Sequence, residues 1–355
     1  MRLSFFNRIC FSGRIPVNKI AFPVIRGTVR DVFDFKRENR MFQRLTASFG
    51  LIFATLLWGS AFAAQRNAMD HITPVAFVIL RNLVGIATLA FVIMILDFFR
   101  YKRVTLWGGA ATSAERRTLL AGGFFCGLAI APAMLSQQTG LLETSAGKSG
   151  FLTALYIIIV PLLGIFFKRK TSPALWLGVL LALAGSFLLC YQPGALSISR
   201  GDSMVICCAF CYALHILVTD RYAPQTDCIR LSLLQFVTAT ALAGLISCFT
   251  RENWSLQAIQ GSAGDWLFCG IGSTAIAFTV QTVSQKYLPP VTTSLLMSLE
   301  SVFAVISGWL FLQEKLSITE FSGCLLVFLA VIVAQLPEKK TKKKADAKSD
   351  ILHQP

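Results

Sequence analysis

One carboxylate lies deep inside a long apolar run of this 355-residue chain. Glu300 stands nine residues into its run, which at 1.5 Å per helical residue places it ~13 Å from the edge. A carboxylate near the centre of a bilayer costs roughly 2.5–3.5 kcal/mol on insertion scales and is by default a functional candidate. The position predicts that Glu300 carries a proton or binds a cationic group. The alternative is a structural hydrogen bond to a neighbouring helix.

Arg81 is the corresponding positive charge, in a second apolar run. It lies ~10 Å in from the end of that run. Its guanidinium could bind a carboxylate or a phosphate through two parallel hydrogen bonds, or pair with Glu300. Alternatively, its long stem could carry the charge outward to the membrane surface, with no chemical role.

Polar and aromatic side chains recur at helical spacing in several of the apolar runs. In a bilayer such groups face protein or water, so they line either a substrate cavity or the contacts between helices. A lone histidine such as His215 is also compatible with simple packing. The candidates for a substrate cavity are Trp58, Ser60, Arg81, Gln137, Gln138, Tyr156, Tyr212, His215, Gln281, Ser284, Ser298 and Glu300.

Two short motifs are similar to sites of other protein classes. Gly140 to Ser149 ends in Gly-Lys-Ser, but six residues separate its glycines where a Walker loop has four, so ATP hydrolysis is not expected. Gly147-Lys148-Ser149-Gly150 resembles the Gly-x-Ser-Gly motif of intramembrane serine proteases, with His215 as the available base. The expected depths of Ser149 and His215 differ by ~17 Å, whereas a nucleophile needs its base within hydrogen-bond reach. The protease is therefore an alternative of a different class, and no enzyme is predicted.

The ten cysteines predict neither disulfides nor a metal site. Most of them fall inside apolar runs, and no polar loop that would face outward holds a pair. Cys208 and Cys211 have the spacing of redox and metal motifs, but a second ligand pair is missing. No cofactor is expected.

Composition predicts the elements that position these residues. The chain is 55% hydrophobic and only 14% charged, with a mean hydropathy of +0.63, which is too apolar for soluble domains. Runs long enough to cross a hydrocarbon core of roughly 30 Å begin and end near 45–64, 74–96, 118–137, 149–167, 174–192, 203–219, 231–249, 266–284, 291–312 and 317–335. Backbone groups in lipid must bond within their own segment, so all ten are predicted to be helices.

The net charge of +15 is concentrated at the two ends. Residues 1–44 hold ten Lys and Arg against three acidic residues, and residues 336–355 hold six against three. Basic ends beside an apolar body suit an anionic membrane surface better than a nucleic acid. If both ends are cytoplasmic, the inner segments carry 27 Lys and Arg and the outer loops carry four, which is the asymmetry that the positive-inside rule requires.

The two halves of the chain are similar in sequence. Phe125-Cys126-Gly127 and the later Ser136-Gln137 are repeated as Phe268-Cys269-Gly270 and Ser284-Gln285. Residues 143–185 also align without gaps on residues 288–330. Five spans per half is an odd number, so the second half must cross the membrane in the opposite sense. Inverted repeats of this kind are typical of secondary transporters, whose substrate site lies where the halves meet.

Several motifs resemble one known family. They lie in or beside the first, second, fourth and ninth runs and read Leu57-Trp58-Gly59-Ser60-Ala61-Phe62, Pro74 followed by Arg81, Ser145 to Thr153, Ser298-Leu299-Glu300, Gly308-Trp309 and Glu314-Lys315-Leu316-Ser317. Over residues 41–335 the chain is similar to the EamA type of the drug/metabolite transporter superfamily. It departs from that pattern at Ser301, where proline is common, and at Lys168-Arg169-Lys170, where glutamate is common. The resemblance implies a ten-helix permease with alternating access around a cavity built from the first, third, fourth, sixth, eighth and ninth helices.

The sequence thus predicts an all-α polytopic membrane protein with ten transmembrane helices in two inverted five-helix repeats, at 45–192 and 203–335. A basic cytoplasmic extension (1–43) and a Lys-rich cytoplasmic tail (336–355) flank them; alternatively, translation begins at Met41.

The predicted function is secondary active export of small metabolites such as amino acids, or of toxic compounds, driven by protons or by exchange. An organophosphate or nucleotide-sugar exchanger is the alternative, against which stands a cavity with Arg81 and at most Lys148 as cations. The expected partners are the lipid bilayer, a small-molecule substrate and protons, with no nucleic acid, and the expected location is the bacterial inner membrane with both termini cytoplasmic.

Overall fold

The computed structural model describes residues 29–110, 112–169, 171–190, 198–250, 255–311 and 317–335. Every regular element within these ranges is a helix. The ten main helices are α1 (Val29–Ala68), α2 (Pro74–Tyr101), α3 (Ser113–Gly140), α4 (Ala146–Phe166), α5 (Pro173–Cys190), α6 (Arg200–Tyr222), α7 (Cys228–Thr250), α8 (Ala263–Ser284), α9 (Pro290–Met297 and Leu299–Phe311) and α10 (Ile318–Gln335). Short turns of helix at Ala223–Gln225 and Leu256–Gly261 connect them. Most of the predicted N-terminal extension and the predicted tail lie outside the described residues.

The helices have the length and composition of membrane spans. In the described part of the chain, nine are long and apolar enough to cross a membrane, and α5 contributes a shorter apolar helix over Pro173–Leu189. Large apolar side chains such as Phe49, Phe91 and Phe249 are exposed on the outside of the bundle, where lipid would cover them. The chain is an integral membrane protein, and the predicted all-helical fold of ten spans is confirmed.

Polar caps set the first residues of several helices. At the start of α3, the Thr112 hydroxyl accepts from the Glu115 backbone N–H, and the Glu115 carboxylate accepts from the Thr112 N–H. Ser199 and Asp202 form the same capping box at the start of α6. Such boxes satisfy N–H groups that have no partner within the helix. Because the caps are polar, α3 and α6 begin several residues before the apolar runs predicted at 118 and 203.

Three helices are irregular where they pass the centre of the bundle. α4 is interrupted at Leu155, between segments that end at Ala154 and resume at Tyr156. α9 is interrupted at Ser298, whose N–H contacts the carbonyl groups of the preceding turn. α8 is a π-helix over Cys269–Ala277. Single π turns are often found at functional sites, and all three irregularities lie beside the cavity described below.

The packing of the helices repeats between α1–α5 and α6–α10. Exchanging these two sets maps the contact of α3 with α6 onto that of α8 with α1, and the contact of α3 with α7 onto that of α8 with α2. The contact of α1 with α9 likewise corresponds to that of α6 with α4. α2 packs on α7 and α5 packs on α10, so these pairs map onto themselves. The bundle is therefore built from two equivalent five-helix units.

Two glycines show the equivalence at the level of residues. A Cβ on Gly127 of α3 would lie 2.7 Å from the carbonyl oxygen of Gln235 in α7. A Cβ on Gly270 of α8 would lie 2.8 Å from the carbonyl oxygen of Arg81 in α2. This is the pairing that follows from aligning Phe-Cys-Gly of α3 with Phe-Cys-Gly of α8, and it makes Arg81 the counterpart of Gln235. The π-helix begins within the first matched stretch of α8 and ends before the second, and the register of the sequence match changes between the two stretches.

The contact between α5 and α10 is equally close. A Cβ on Gly185 would lie 2.7 Å from the carbonyl oxygen of Gly323, and a Cβ on Gly323 would lie 2.7 Å from that of Gly185. A Cβ on Gly178 would lie 3.4 Å from the carbonyl oxygen of Ala330. Aligning residues 143–185 on 288–330 exchanges these two contacts, since it places Gly178 on Gly323 and Gly185 on Ala330.

Candidate functional site

A cavity lies between α1, α2, α3, α4, α6, α8 and α9, beside the interruptions of α4 and α9. The space between its lining atoms is about 390 Å³, counted with the part open to solvent. All six helices expected from the family resemblance contribute to it, and α2 adds Arg81. The wall consists of Trp58, Phe62, Gln65, Arg81, Gln137, Thr153, Tyr156, Tyr212, Ser273, Phe278, Met297 and Glu300.

Arg81 is buried, at 3% exposure, and is held by neutral partners. Its guanidinium donates to the Gln65 side-chain oxygen at 2.9 Å, to the Ser273 hydroxyl at 2.7 Å and to the Thr274 hydroxyl at 3.1 Å. Within the described part of the chain it forms no salt bridge, and it does not extend to the surface. A buried cation without a counter-ion is costly, so this guanidinium is suited to an anionic group that enters the cavity.

Glu300 is the buried carboxylate of the same cavity, at 5% exposure. The Tyr156 hydroxyl donates to its Oε1 at 3.0 Å. Among the described residues no ion pair joins Glu300 to Arg81, although both side chains line the same space. Gly59 of α1 lies against the backbone of Glu300, where a Cβ would come within 2.7 Å of its carbonyl oxygen. The close approach of α1 and the break in α9 together place the carboxylate in the wall.

Aromatic rings form much of the remaining wall. The ring centroids of Trp58 and Phe278 are 5.0 Å apart in an edge-to-face arrangement, and those of Tyr212 and Phe278 are 6.4 Å apart in a stacked arrangement. The Tyr212 hydroxyl donates to the Gln137 side-chain oxygen at 3.4 Å, and the Gln137 amide donates to Thr153 at 3.1 Å. The cavity therefore combines one cation, one carboxylate, aromatic faces and a few neutral hydrogen-bonding groups.

The structure brings half of the twelve sequence candidates to the wall of this cavity. They are Trp58, Arg81, Gln137, Tyr156, Tyr212 and Glu300. Among the other six, three serines bond to backbone carbonyl groups: Ser60 to Leu56 at 3.0 Å, Ser298 to Leu295 at 2.6 Å, and Ser284 to Ala47 of α1 at 2.9 Å. Ser60 and Ser298 thus bond within their own helix, Ser284 joins α8 to α1, and none of the three lines the cavity.

The last three candidates are buried in contacts between helices. The Gln138 amide donates to the carbonyl oxygen of Gln65 at 3.0 Å. His215 bonds to Gln235 of α7 at 2.9 Å, with the donor set by its tautomer. The Gln281 amide donates to Gln285 one turn later at 3.1 Å. None of these three lines the cavity in this structure, although His215 and Gln281 lie close behind it.

Among the described residues, the side chains of the protease-like and Walker-like motifs do not come together as a catalytic site, nor do metal-binding side chains come together as a metal site. No hydrogen bond joins Ser149 to His215; the Ser149 hydroxyl is buried without a partner among the described residues, and His215 Nε2 is bonded to Gln235 and Thr219. Lys148 forms an ion pair of 2.6 Å with Asp202 at the start of α6, away from the cavity wall. In the ranges that the structure describes, no three metal-binding side chains cluster.

Half of the wall had no sequence signal, or a weak one. Phe62, Phe278 and Met297 are apolar residues in apolar runs, where such residues are the rule. Thr153 and Ser273 are small hydroxyl residues of a kind that also packs between membrane helices. Gln65 follows directly after the first apolar run, and its polar side chain one turn beyond Ala61 is the one signal that could have identified it.

Comparisons with known proteins agree with the fold. The model of the EamA-like transporter family matches residues 45–191 and 199–335. An uncharacterized transporter of Archaeoglobus fulgidus is 27% identical over 300 residues, covering 83% of this chain and 87% of the relative. The threonine/homoserine exporter RhtA of Escherichia coli is 27% identical over 188 residues, covering 51% of this chain and 59% of the relative.

One solved crystal structure superimposes with a TM-score of 0.63 at 20% identity, covering 82% of this chain and 97% of that chain. At this identity the likeness supports the fold alone. The family model, in contrast, matches most of the chain in two successive copies. The chain therefore belongs to the EamA-like transporter family.

Proposed function

We propose that this transporter is a secondary active exporter of small metabolites, with amino acids as the first candidates. The observation that carries the proposal is the presence of Arg81 and Glu300 in one cavity without an ion pair between them. Opposite charges that are buried and kept apart favour a substrate that carries a complementary group for each of them. The relative named as a threonine/homoserine exporter adds a reason to test amino acids first.

We propose that Glu300 couples transport to a proton gradient or to exchange. Its carboxylate is buried, contacts the Tyr156 hydroxyl at 3.0 Å and faces the cavity. A carboxylate in this position can bind either a proton or a cationic group of the substrate, but not both at once. Competition between the two would link substrate release to proton uptake.

The mechanism that fits this packing is alternating access, with the two five-helix repeats rocking against each other. Ion pairs join the repeats at both ends of the helices. Lys148 at the start of α4 pairs with Asp202 at the start of α6, and Arg230 at the start of α7 pairs with Asp97 near the end of α2, both at 2.6 Å. Opening one face would break the first contact and opening the other face would break the second.

The alternative of an organophosphate or nucleotide-sugar exchanger has less support. A doubly charged phosphate site needs several cations, and Arg81 is the one Lys or Arg side chain among the described residues of the wall. Lys148 is bonded to Asp202. We also propose that both termini are cytoplasmic and that the protein resides in a bacterial inner membrane, because this orientation leaves four basic residues in the outer loops.

The test uses the purified full-length chain in proteoliposomes. Vesicles loaded with radiolabelled amino acids, nucleobases or toxic cations are diluted into buffers of pH 6 to 8, and efflux is compared between the native protein and Glu300→Gln. We expect efflux of at least one amino acid, and loss of its pH dependence in Glu300→Gln. Asp70→Asn is the matched control, since it makes the same carboxylate-to-amide change at an exposed site outside the cavity.

Two results would overturn the proposal in different parts. If no member of the panel leaves the vesicles faster than from protein-free liposomes, the proposed substrates are wrong. If Glu300→Gln keeps full transport across pH 6 to 8, Glu300 does not couple transport to protons.

A further inference from the structure

A second group of polar side chains is buried behind the cavity, between α6, α7 and α8. It consists of His215, Thr219, Gln235, Gln281 and Gln285, each exposed by 2% or less, and is called the His215 cluster here. His215 Nε2 contacts Gln235 at 2.9 Å and Thr219 at 3.3 Å. The Gln281 amide donates to Gln285, whose own amide donates to the carbonyl oxygen of Ile216 at 2.8 Å.

The cluster has more hydrogen-bonding atoms than partners. Within the described residues, His215 Nδ1, Gln235 Nε2 and Gln281 Oε1 have no partner. Buried polar atoms in proteins nearly always have one, and those that do not require an explanation. Three such atoms, one each on α6, α7 and α8, are available to bond a polar group that enters the cluster.

Phe278 stands between the cluster and the cavity. Its ring lines the cavity and packs edge-to-face on Trp58. The same ring lies edge-to-face against His215, with centroids 6.0 Å apart. Gln281 follows Phe278 by about one turn of α8. This one ring therefore contacts both the cavity and the cluster.

The sequence repeat relates two residues of the His215 cluster to two residues of the cavity. The glycine contacts described above make Gln235 the counterpart of Arg81, and the same shift along the sequence makes Thr219 the counterpart of Gln65. Gln235 and Thr219 of the His215 cluster are thus the equivalents, in the second repeat, of Arg81 and Gln65. Because the repeats are inverted, equivalent groups lie toward opposite faces of the membrane.

We propose that the His215 cluster is a second binding site on the transport path, with Phe278 closing it off from the cavity. It would bind uncharged hydrogen-bonding groups of the transported molecule, because Gln235 stands where the first repeat has Arg81. The site lies toward the face at which α6 ends and α7 begins, opposite to the face on the Arg81 side. The inference rests on the proposed transport function.

Cysteine labelling tests the path without a substrate. Gln235→Cys is compared with Ala239→Cys, about one turn further along α7 and fully buried in the apolar core. Each variant is made with Phe278 and with Phe278→Ala. A membrane-impermeant, positively charged methanethiosulfonate is added to right-side-out or inside-out vesicles. Mass spectrometry of the peptide that contains the new cysteine separates its labelling from that of native cysteines.

We expect several-fold more labelling at position 235 than at position 239, from the α6-end face alone, and a further increase with Phe278→Ala. Gln281→Cys repeats the test from α8 in case the first variant does not fold. Labelling of Gln235→Cys and Gln281→Cys no greater than that of Ala239→Cys, or labelling from the opposite face, would overturn the proposal.

A kinetic measurement tests binding itself. Gln235→Leu removes the amide but keeps the approximate volume, so we expect the half-saturating substrate concentration for transport started from the α6-end face to rise roughly two- to tenfold. An unchanged value would refute a binding role. Failure of the proposed substrates is distinguishable, because labelling of position 235 would persist in a protein that transports none of the panel.

Discussion

Replacing Gly59 by alanine tests whether the contact between α1 and α9 sets the position of Glu300. A Cβ at this position would lie 2.7 Å from the Glu300 carbonyl oxygen and 2.7 Å from the Ala304 nitrogen, whereas ordinary contacts begin at 3.4 Å. The two backbones would have to separate by about 0.7 Å, the difference between these distances. Overpacking costs roughly 1–3 kcal/mol, and replacing a helical glycine by alanine returns about 0.5–1 kcal/mol.

We therefore expect Gly59→Ala to lower the free energy of unfolding by about 0–2.5 kcal/mol and to move the Glu300 carboxylate away from the cavity. Thermal unfolding in detergent measures the first effect, and the half-saturating substrate concentration in proteoliposomes measures the second. Gly244→Ala is the matched control, because a Cβ there meets nothing within 4 Å. If Gly59→Ala behaves like Gly244→Ala in both assays, the helix contact does not position the site.

Two further substitutions test the charged groups. Asp97→Ala removes one of two carboxylate partners of Arg230, in a buried ion pair whose side chains are 3% and 7% exposed. Arg230 keeps Asp227 at 2.9 Å, so we expect a loss of roughly 1–3 kcal/mol in thermal unfolding. The same change at Asp70, in an exposed pair with Arg66, should cost about 0–1 kcal/mol; equal losses would contradict the assignment. Arg81→Met should raise the half-saturating concentration of a carboxylate-bearing substrate by roughly 10- to 100-fold, the effect of losing a charged hydrogen bond. An unchanged value would exclude Arg81 from binding.

The fold could be predicted from the sequence because a bilayer demands long apolar segments. Each of the ten predicted runs contains one helix, even where α5 is short. The starts of α3 and α6 were placed late, since Thr112, Glu115, Ser199 and Asp202 form polar caps that a search for apolar residues passes over. The π-helix of α8 was not predicted either, because its hydrogen-bond pattern depends on the neighbouring helices rather than on a local motif.

The site was predictable where a residue was costly at its position. Arg81 and Glu300 stood out because charges are rare within membrane spans, and both line the cavity. Phe278 gave no signal, since one phenylalanine among 29 has no local feature that marks it as a wall of the cavity. His215 and Gln281 were grouped with the cavity because helical spacing shows which face a residue occupies. Spacing alone does not show which aromatic ring stands between that residue and the cavity.

The unpaired charges of the cavity also have an electrical consequence. Moving one elementary charge through the whole membrane potential changes the free energy by about 2.3 kcal/mol per 100 mV. With Glu300 ionised, the charges of Arg81 and Glu300 cancel, whereas protonation of Glu300 leaves the cavity one unit positive. Arg81 lies in the first repeat and Glu300 in the second, so a rocking motion would move two charges within the electric field when Glu300 is ionised and only the Arg81 charge when Glu300 is protonated. The charge displaced would therefore differ between the two protonation states. The voltage sensitivity of the transport cycle would itself report on the proton at Glu300.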